Sequence, residues 1–154
     1  MKLIALVLLC AGFALPAGDP EGFHLWKAAE LKSISKTLTP KLNAETHLAT
    51  QPMPGLGNYS FITILRTGSA AAELHETQAD IFVVESGEAT LIVGGKMVDG
   101  KTTAPNEVRG TGITGGTEHK LAVGDIISIP AKIPHQLKVD AGKQIAYFIV
   151  KVTQ

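Results

Sequence analysis

The chain has 154 residues, with 14 Lys and Arg against 14 Asp and Glu, and so carries no net formal charge. That length fits one domain of ordinary size, and its scattered basic residues lack the footprint of a nucleic-acid binder. Cys10 is the only cysteine, which excludes a disulfide framework and, once the leading segment is removed, any thiol chemistry.

The first residues are predicted to be a secretory signal. Lys2 precedes an apolar stretch from Leu3 to Leu15, and cleavage is expected after Ala14 or Ala17. The stretch is shorter than the roughly 20 residues a membrane span needs. Residues 1–17 are therefore expected to be removed, leaving an exported protein, periplasmic or extracellular, with no stable membrane insertion. Residues 18–58 are read as an N-terminal helix and a connector. Leu25, Ala28, Ala29, Leu31 and Ile34 space an amphipathic helix over about 25–37, which Thr39-Pro40 ends because a residue before proline avoids helical geometry. Phe23 and Trp26 are expected to anchor this segment. Gln51 to Asn58, rich in Pro and Gly, reads as a turn-rich connector.

From Tyr59 onward the pattern is β. Phe61–Arg66, Asp80–Glu85, Ala89–Val93, Ile126–Ile129, His135–Val139 and Ile145–Val152 are short runs separated by Gly, Pro and Asp, as in an all-β sandwich or barrel over 59–154. Ile145 to Val150 is apolar on both faces, consistent with cover from the N-terminal helix or from a second subunit. Residues 94–119, dense in Thr, Gly, Pro and Asn, read as one long loop, either a lid or a surface insertion. Within it Gly110-x-Gly112-x-x-Gly115 imitates a dinucleotide fingerprint, but neither a preceding strand nor a following helix is expected there, so it is set aside. Asn58-Tyr59-Ser60 is a glycosylation sequon that carries little weight, and no Gly-x-Ser-x-Gly indicates an activated serine.

The informative stretch is Glu73-Leu74-His75, followed by Asp80 at the start of a strand. The i, i+2 spacing points Glu73 and His75 to one face. His135 opens a second strand whose inward face continues with Leu137 and Val139, while Gln136 and Lys138 are expected to face out. Ionisable groups on apolar faces need partners. Either a metal holds Glu73, His75, Asp80 and His135 together, or they form a buried hydrogen-bonded cluster. His24, His47 and His119 are expected at the surface.

These segments resemble the paired motifs of the cupin superfamily. The first usually reads G-x5-H-x-H-x3,4-E-x6-G; here Glu73 stands at the first histidine, His75 at the second, Asp80 at the glutamate, and Gly87 closes it. The second usually reads G-x5-P-x-G-x2-H-x3-N; here Gly124, Pro130 and His135 match, while Lys132 replaces the glycine and Val139 the asparagine. The resemblance implies a double-stranded β-helix, or jelly-roll barrel, that pairs as a homodimer and takes a small-molecule ligand inside. It also implies one divalent metal ion (Mn, Fe, Zn, Ni or Co) on Glu73, His75, Asp80 and His135. Asp is a methylene shorter than Glu, so Glu76 or Gln78 is a candidate substitute for Asp80. Two His and a carboxylate with open positions suit non-haem metal chemistry, and the expected function is a metal-dependent oxygenase, isomerase or lyase. The alternative is a non-catalytic binding or structural barrel without a metal.

Overall fold

The structure, a computed structural model, describes residues 19–154, so the expected signal segment over 1–17 lies outside the described residues. The N-terminal helix is two short ones, α1 (Ala28–Lys32) and α2 (Ile34–Leu38), followed by a 3-10 turn over Thr39–Lys41. They divide at Ser33, whose hydroxyl donates to the Glu30 carbonyl at 2.7 Å. A serine that bonds its own turn in this way competes with regular helix geometry. Among the described residues no helix is long and apolar enough to cross a membrane.

Thirteen strands follow: β1 (Leu48–Leu56), β2 (Tyr59–Arg66), β3 (Ala72–His75), β4 (Gln78–Gly87), β5 (Ala89–Val93), β6 (Lys96–Val98), β7 (Lys101–Ala104), β8 (Glu107–Gly110), β9 (Gly112–Thr114), β10 (Thr117–Leu121), β11 (Ile126–Ile129), β12 (His135–Lys138) and β13 (Ile145–Thr153). One antiparallel sheet runs β1-β2-β13-β4-β11 and a second β10-β5-β12-β3-β8-β7, with β6 and β9 as a separate ribbon. Their inner faces enclose a core that includes Phe82, Val84, Leu91, Leu137, Ile145 and Ile149. Each such side chain contributes about 1.5–3 kcal/mol on burial. The outer face of the first sheet is covered by α2, whose Ile34 and Leu38 pack on Leu65 and Ala146. Both faces of β13 are thus covered within one chain, and the apolar pattern of 145–150 needs no second subunit to explain it.

Several expectations need correction. The connector at 51–58 is the end of β1 and a turn. Pro52 and Pro54 are tolerated because β1 is an edge strand, where a missing N–H breaks no inner ladder. Residues 94–119 are not a loop: they hold β6 to β9 and the start of β10, and β8 pairs with β3. Their Gly, Asn and Asp residues mark the turns between short strands, with Asp99, Asn106, Gly94, Gly95 and Gly115 at positive φ. Gln136 lies on the outer face of β12, as expected from the alternation, but is buried there and not exposed. It is 2% exposed, and its side-chain amide donates to the Ala70 carbonyl at 2.8 Å. Trp26 anchors the N-terminal segment, edge-on to Phe61 with ring centroids 4.7 Å apart, whereas Phe23 is half exposed.

Candidate metal centre

Strand register builds the site. On the second sheet β3 lies between β12 and β8, so Glu73 is paired with His135 on one side and Arg109 on the other, and His75 with Glu107. On the first sheet Asp80 of β4 faces Lys151 of β13. Side chains opposite one another project to the same face, and these pairs meet where the two sheets face each other.

Glu73, His75 and His135 each offer a donor atom, and those atoms lie within 4.8 Å of one another. Both imidazoles are oriented from behind. His75 Nδ1 is 2.7 Å from Glu107 Oε1, and His135 Nδ1 is 3.0 Å from the Ile133 carbonyl. An acceptor on Nδ1 favours the proton there and a lone pair on Nε2, as metal-ligating histidines require, although at His75 that Nε2 also meets Lys151 and Asp80. The Glu73 carboxylate is 3.9 Å from each Nε2. Among the described residues, His135 Nε2 is buried and has no hydrogen-bond partner. A buried imidazole nitrogen left unpaired beside two oriented donors is what a divalent cation would satisfy. The donor set therefore fits a metal.

The surrounding charges limit that fit. Asp80, 2% exposed, holds the Lys151 ammonium at 2.8 and 3.1 Å and lies 3.2 Å from His75 Nε2. Lys151 Nζ is itself 2.9 Å from His75 Nε2. Arg109 is ion-paired with Glu73 and, at 2.9 Å, with Glu107. Burial works against an imidazolium at His75, but the hydrogen bond and charge of Asp80 outweigh it and raise its pKa. Burial likewise opposes the Asp80 carboxylate, yet His75 and Lys151 hold its pKa below the usual value. At His135 burial prevails and lowers the pKa, keeping the ring neutral and available as a ligand. With neutral histidines, the three carboxylates lining the cavity (Glu73, Asp80, Glu107) are matched by three cations (Arg66, Arg109, Lys151), so the local charge neither draws in nor excludes a further cation.

Of the residues read from the sequence, Glu73, His75 and His135 converge, and Asp80 adjoins them as the partner of Lys151. Glu76 is exposed and Gln78 bonds the Thr153 hydroxyl at 3.2 Å, so neither substitutes for Asp80. His24, His47 and His119 are exposed. Glu107, Arg109 and Lys151 were missed. Lys151 did leave a signal, falling in step with Ile145, Tyr147 and Ile149 on the inward stripe of β13. Beside the cluster opens a cavity of about 290 Å³, lined by Glu73, His75, Asp80 and Lys151 together with Arg66 and Tyr147.

No protein-family model matches the sequence, and no curated protein matches it. Solved structures do resemble it. A Thermus thermophilus protein is 18% identical over 77% of this chain and 92% of its own, with a TM-score of 0.55. A cupin-2 domain from Rhodospirillum rubrum is 13% identical over 70% of this chain and 61% of its own, at 0.51. The DMSP lyase DddQ from Ruegeria pomeroyi is 14% identical over 74% of this chain, at 0.52; this chain spans about half of it, 52%. The fold is that of the cupins.

Proposed function

We propose that this cupin-fold protein is exported, binds one divalent metal through Glu73, His75 and His135, and admits a small molecule to the adjoining cavity. The observation that carries the reading is the pair of imidazoles, each fixed through Nδ1 so that its Nε2 faces Glu73, with His135 Nε2 buried and unpartnered. When bound, such a cation supplies Lewis-acid polarisation of a ligand oxygen, or redox chemistry if it is iron or manganese. Glu107 and Ile133 orient the ligating rings, Arg109 steadies Glu73, and Lys151 neutralises Asp80 at the cavity wall. Oxygenation, isomerisation and lyase cleavage of a small molecule all suit that arrangement, and the likeness in fold to a lyase is compatible with the last. Export is supported by the apolar segment Leu3 to Leu15, and a homodimer is proposed from the fold resemblance.

A specific observation favours a second reading. The Lys151 ammonium already lies against His75 Nε2 and Asp80, so the barrel could bind its ligand with lysine as the resident cation and no metal. Elemental analysis of untagged protein purified without chelator separates the two, alongside His135→Ala and Glu73→Ala. Stoichiometric metal lost in both folded variants supports the first reading. Folded, metal-free parent protein that also fails to take up Zn, Mn, Fe, Ni or Co would leave the second. Light scattering on the same samples tests the dimer, and N-terminal sequencing of the secreted chain tests cleavage after Ala14 or Ala17.

A further inference from the structure

The inward face of β2 carries Ile62, Ile64 and then Arg66, two apolar positions followed by a guanidinium at the cavity wall. Arg66 is half buried, and its Nε donates to the Tyr147 hydroxyl oxygen over a long 3.4 Å. Tyr147 sits on β13 diagonally across from it, since Arg66 pairs with Ile145 and Ile64 with Tyr147. Among the described residues no carboxylate forms an ion pair with Arg66, and the Tyr147 hydroxyl hydrogen has no acceptor. The contrast with the other cavity cations is sharp: Arg109 has Glu73 and Glu107, and Lys151 has Asp80.

A half-buried guanidinium without an anion is costly unless something arrives to pair with it. Burial pushes the Tyr147 pKa up to about 12 despite Arg66 nearby, so its hydroxyl stays protonated and able to donate. Apart from the long Arg66 Nε–H bond to Tyr147, the donors of the two side chains have no acceptor among the described residues, and they lie on the wall of the cavity that also contains Glu73 and His75.

We infer that Arg66 and Tyr147 anchor the carboxylate of a small organic acid, whose remaining atoms extend toward the Glu73, His75 and His135 cluster. The inference rests on the reading of this cavity as the ligand chamber and deepens it by naming the ligand class. A planar carboxylate suits the guanidinium fork. A singly charged acid also matches the one cation of the cavity that has no carboxylate partner among the described residues, since Arg109 and Lys151 already have theirs. The cavity, about 290 Å³, is at the small end of ligand pockets and has room for a small organic acid.

The test is a nitrogen-15 NMR titration of the purified chain with butyrate, its neutral isostere butyramide, and inorganic phosphate, in zinc-loaded and chelator-treated samples. Butyrate is expected to shift the Arg66 Nε–H and the amides around Tyr147, and to bind at least tenfold more tightly than butyramide. Arg66→Gln should abolish that preference, Arg66→Lys should keep part of it, and Tyr147→Phe should weaken butyrate severalfold. The spectra themselves report whether each variant is folded. Equal binding of butyrate and butyramide, tighter binding of phosphate, or unchanged butyrate affinity in folded Arg66→Gln would overturn the inference. Carboxylate preference in a protein that takes up no zinc would refute the metal reading alone, and zinc uptake without carboxylate preference would refute the anchor alone.

Discussion

Lys151 and Asp80 are direct cross-strand partners on β13 and β4, and the ammonium that neutralises Asp80 also lies 2.9 Å from His75 Nε2. A metal ligated by that nitrogen must move the lysine aside, so Lys151 competes with the ion it would neighbour. Lys151→Met should tighten zinc binding by about tenfold, roughly 1.4 kcal/mol, as read by calorimetric titration. In the metal-free protein the same change strands a buried carboxylate and should cost about 3–5 kcal/mol. Lys151→Met with Asp80→Asn should recover most of that loss in urea unfolding. Weaker zinc binding in folded Lys151→Met would show that the lysine assists the site instead.

Glu107 would act on a bound metal through His75. It accepts from Nδ1 at 2.7 Å and is itself held by Arg109. Glu107→Gln keeps the volume but loses the charge that fixes the tautomer. Zinc affinity should fall about 10–100-fold, as for other partners that orient a ligand, whereas His135→Ala removes a ligand and should bring affinity below detection. Equal affinities for Glu107→Gln and the parent protein would leave Glu107 a purely structural residue.

The metal-free protein should show a divided pH response. The Asp80 pKa is lowered from 3.8, so its stabilisation is complete above that value and lost as pH falls through the folded-state value. The His75 pKa is raised from 6.5, so its contribution is complete below 6.5 and lost as pH rises through the folded-state value. His135 opposes it: its pKa is lowered, so the unfolded chain takes up that proton first and stability falls as pH drops below 6.5. His135→Gln should therefore lose less stability than the parent between pH 7.5 and 5, or gain some. Parallel curves from urea unfolding in chelator would contradict the opposed histidines.

The alternation of polar and apolar residues was enough to place Glu73, His75 and His135 inward, because side-chain direction along a strand is local. Register across strands is not local. Glu107, Arg109 and Lys151 enter the site as the opposite numbers of His75, Glu73 and Asp80, and only the pairing of β3 with β8 and of β4 with β13 shows it. Short strands with one or two apolar residues each, such as β7 with four exposed positions, lack the period that would distinguish them from a loop. Gly87, by contrast, was legible: φ is +78°, and a Cβ there would come within 2.0 Å of the Gln144 carbonyl oxygen.

Lys132 stands where the second motif has glycine, and its backbone keeps the glycine conformation, with φ at +66°. Its N–H donates to the His75 carbonyl at 2.7 Å, so the turn is held against β3. Left-handed geometry costs an L-residue about 1–2 kcal/mol, and the extra freedom glycine gives the unfolded chain offsets about 0.5–1 kcal/mol of the relief. Lys132→Gly should stabilise the protein by about 0.5–1 kcal/mol in urea unfolding, the difference of those two effects. A loss of stability would mean that the lysine side chain itself supports the turn.

The helical segment before the barrel is predicted to be part of its folding unit. Leu38 is 1% exposed and packs with Ile34 on Leu65 and Ala146, on the face of the first sheet opposite the Glu73, His75 and His135 cluster. Those strands also carry Arg66, Tyr147 and Lys151 on their inward faces, so the helix backs the sheet that forms one wall of the cavity. Leu38→Ala removes a fully buried side chain and should cost about 2–5 kcal/mol. Because the cavity it leaves is on the outer face, zinc affinity should stay within about twofold, well under the roughly 1.4 kcal/mol of a tenfold change. A single cooperative urea transition, shifted to lower denaturant with zinc binding preserved, is the expected result. Separate melting of the helices with the barrel transition unmoved would show that the barrel folds without them.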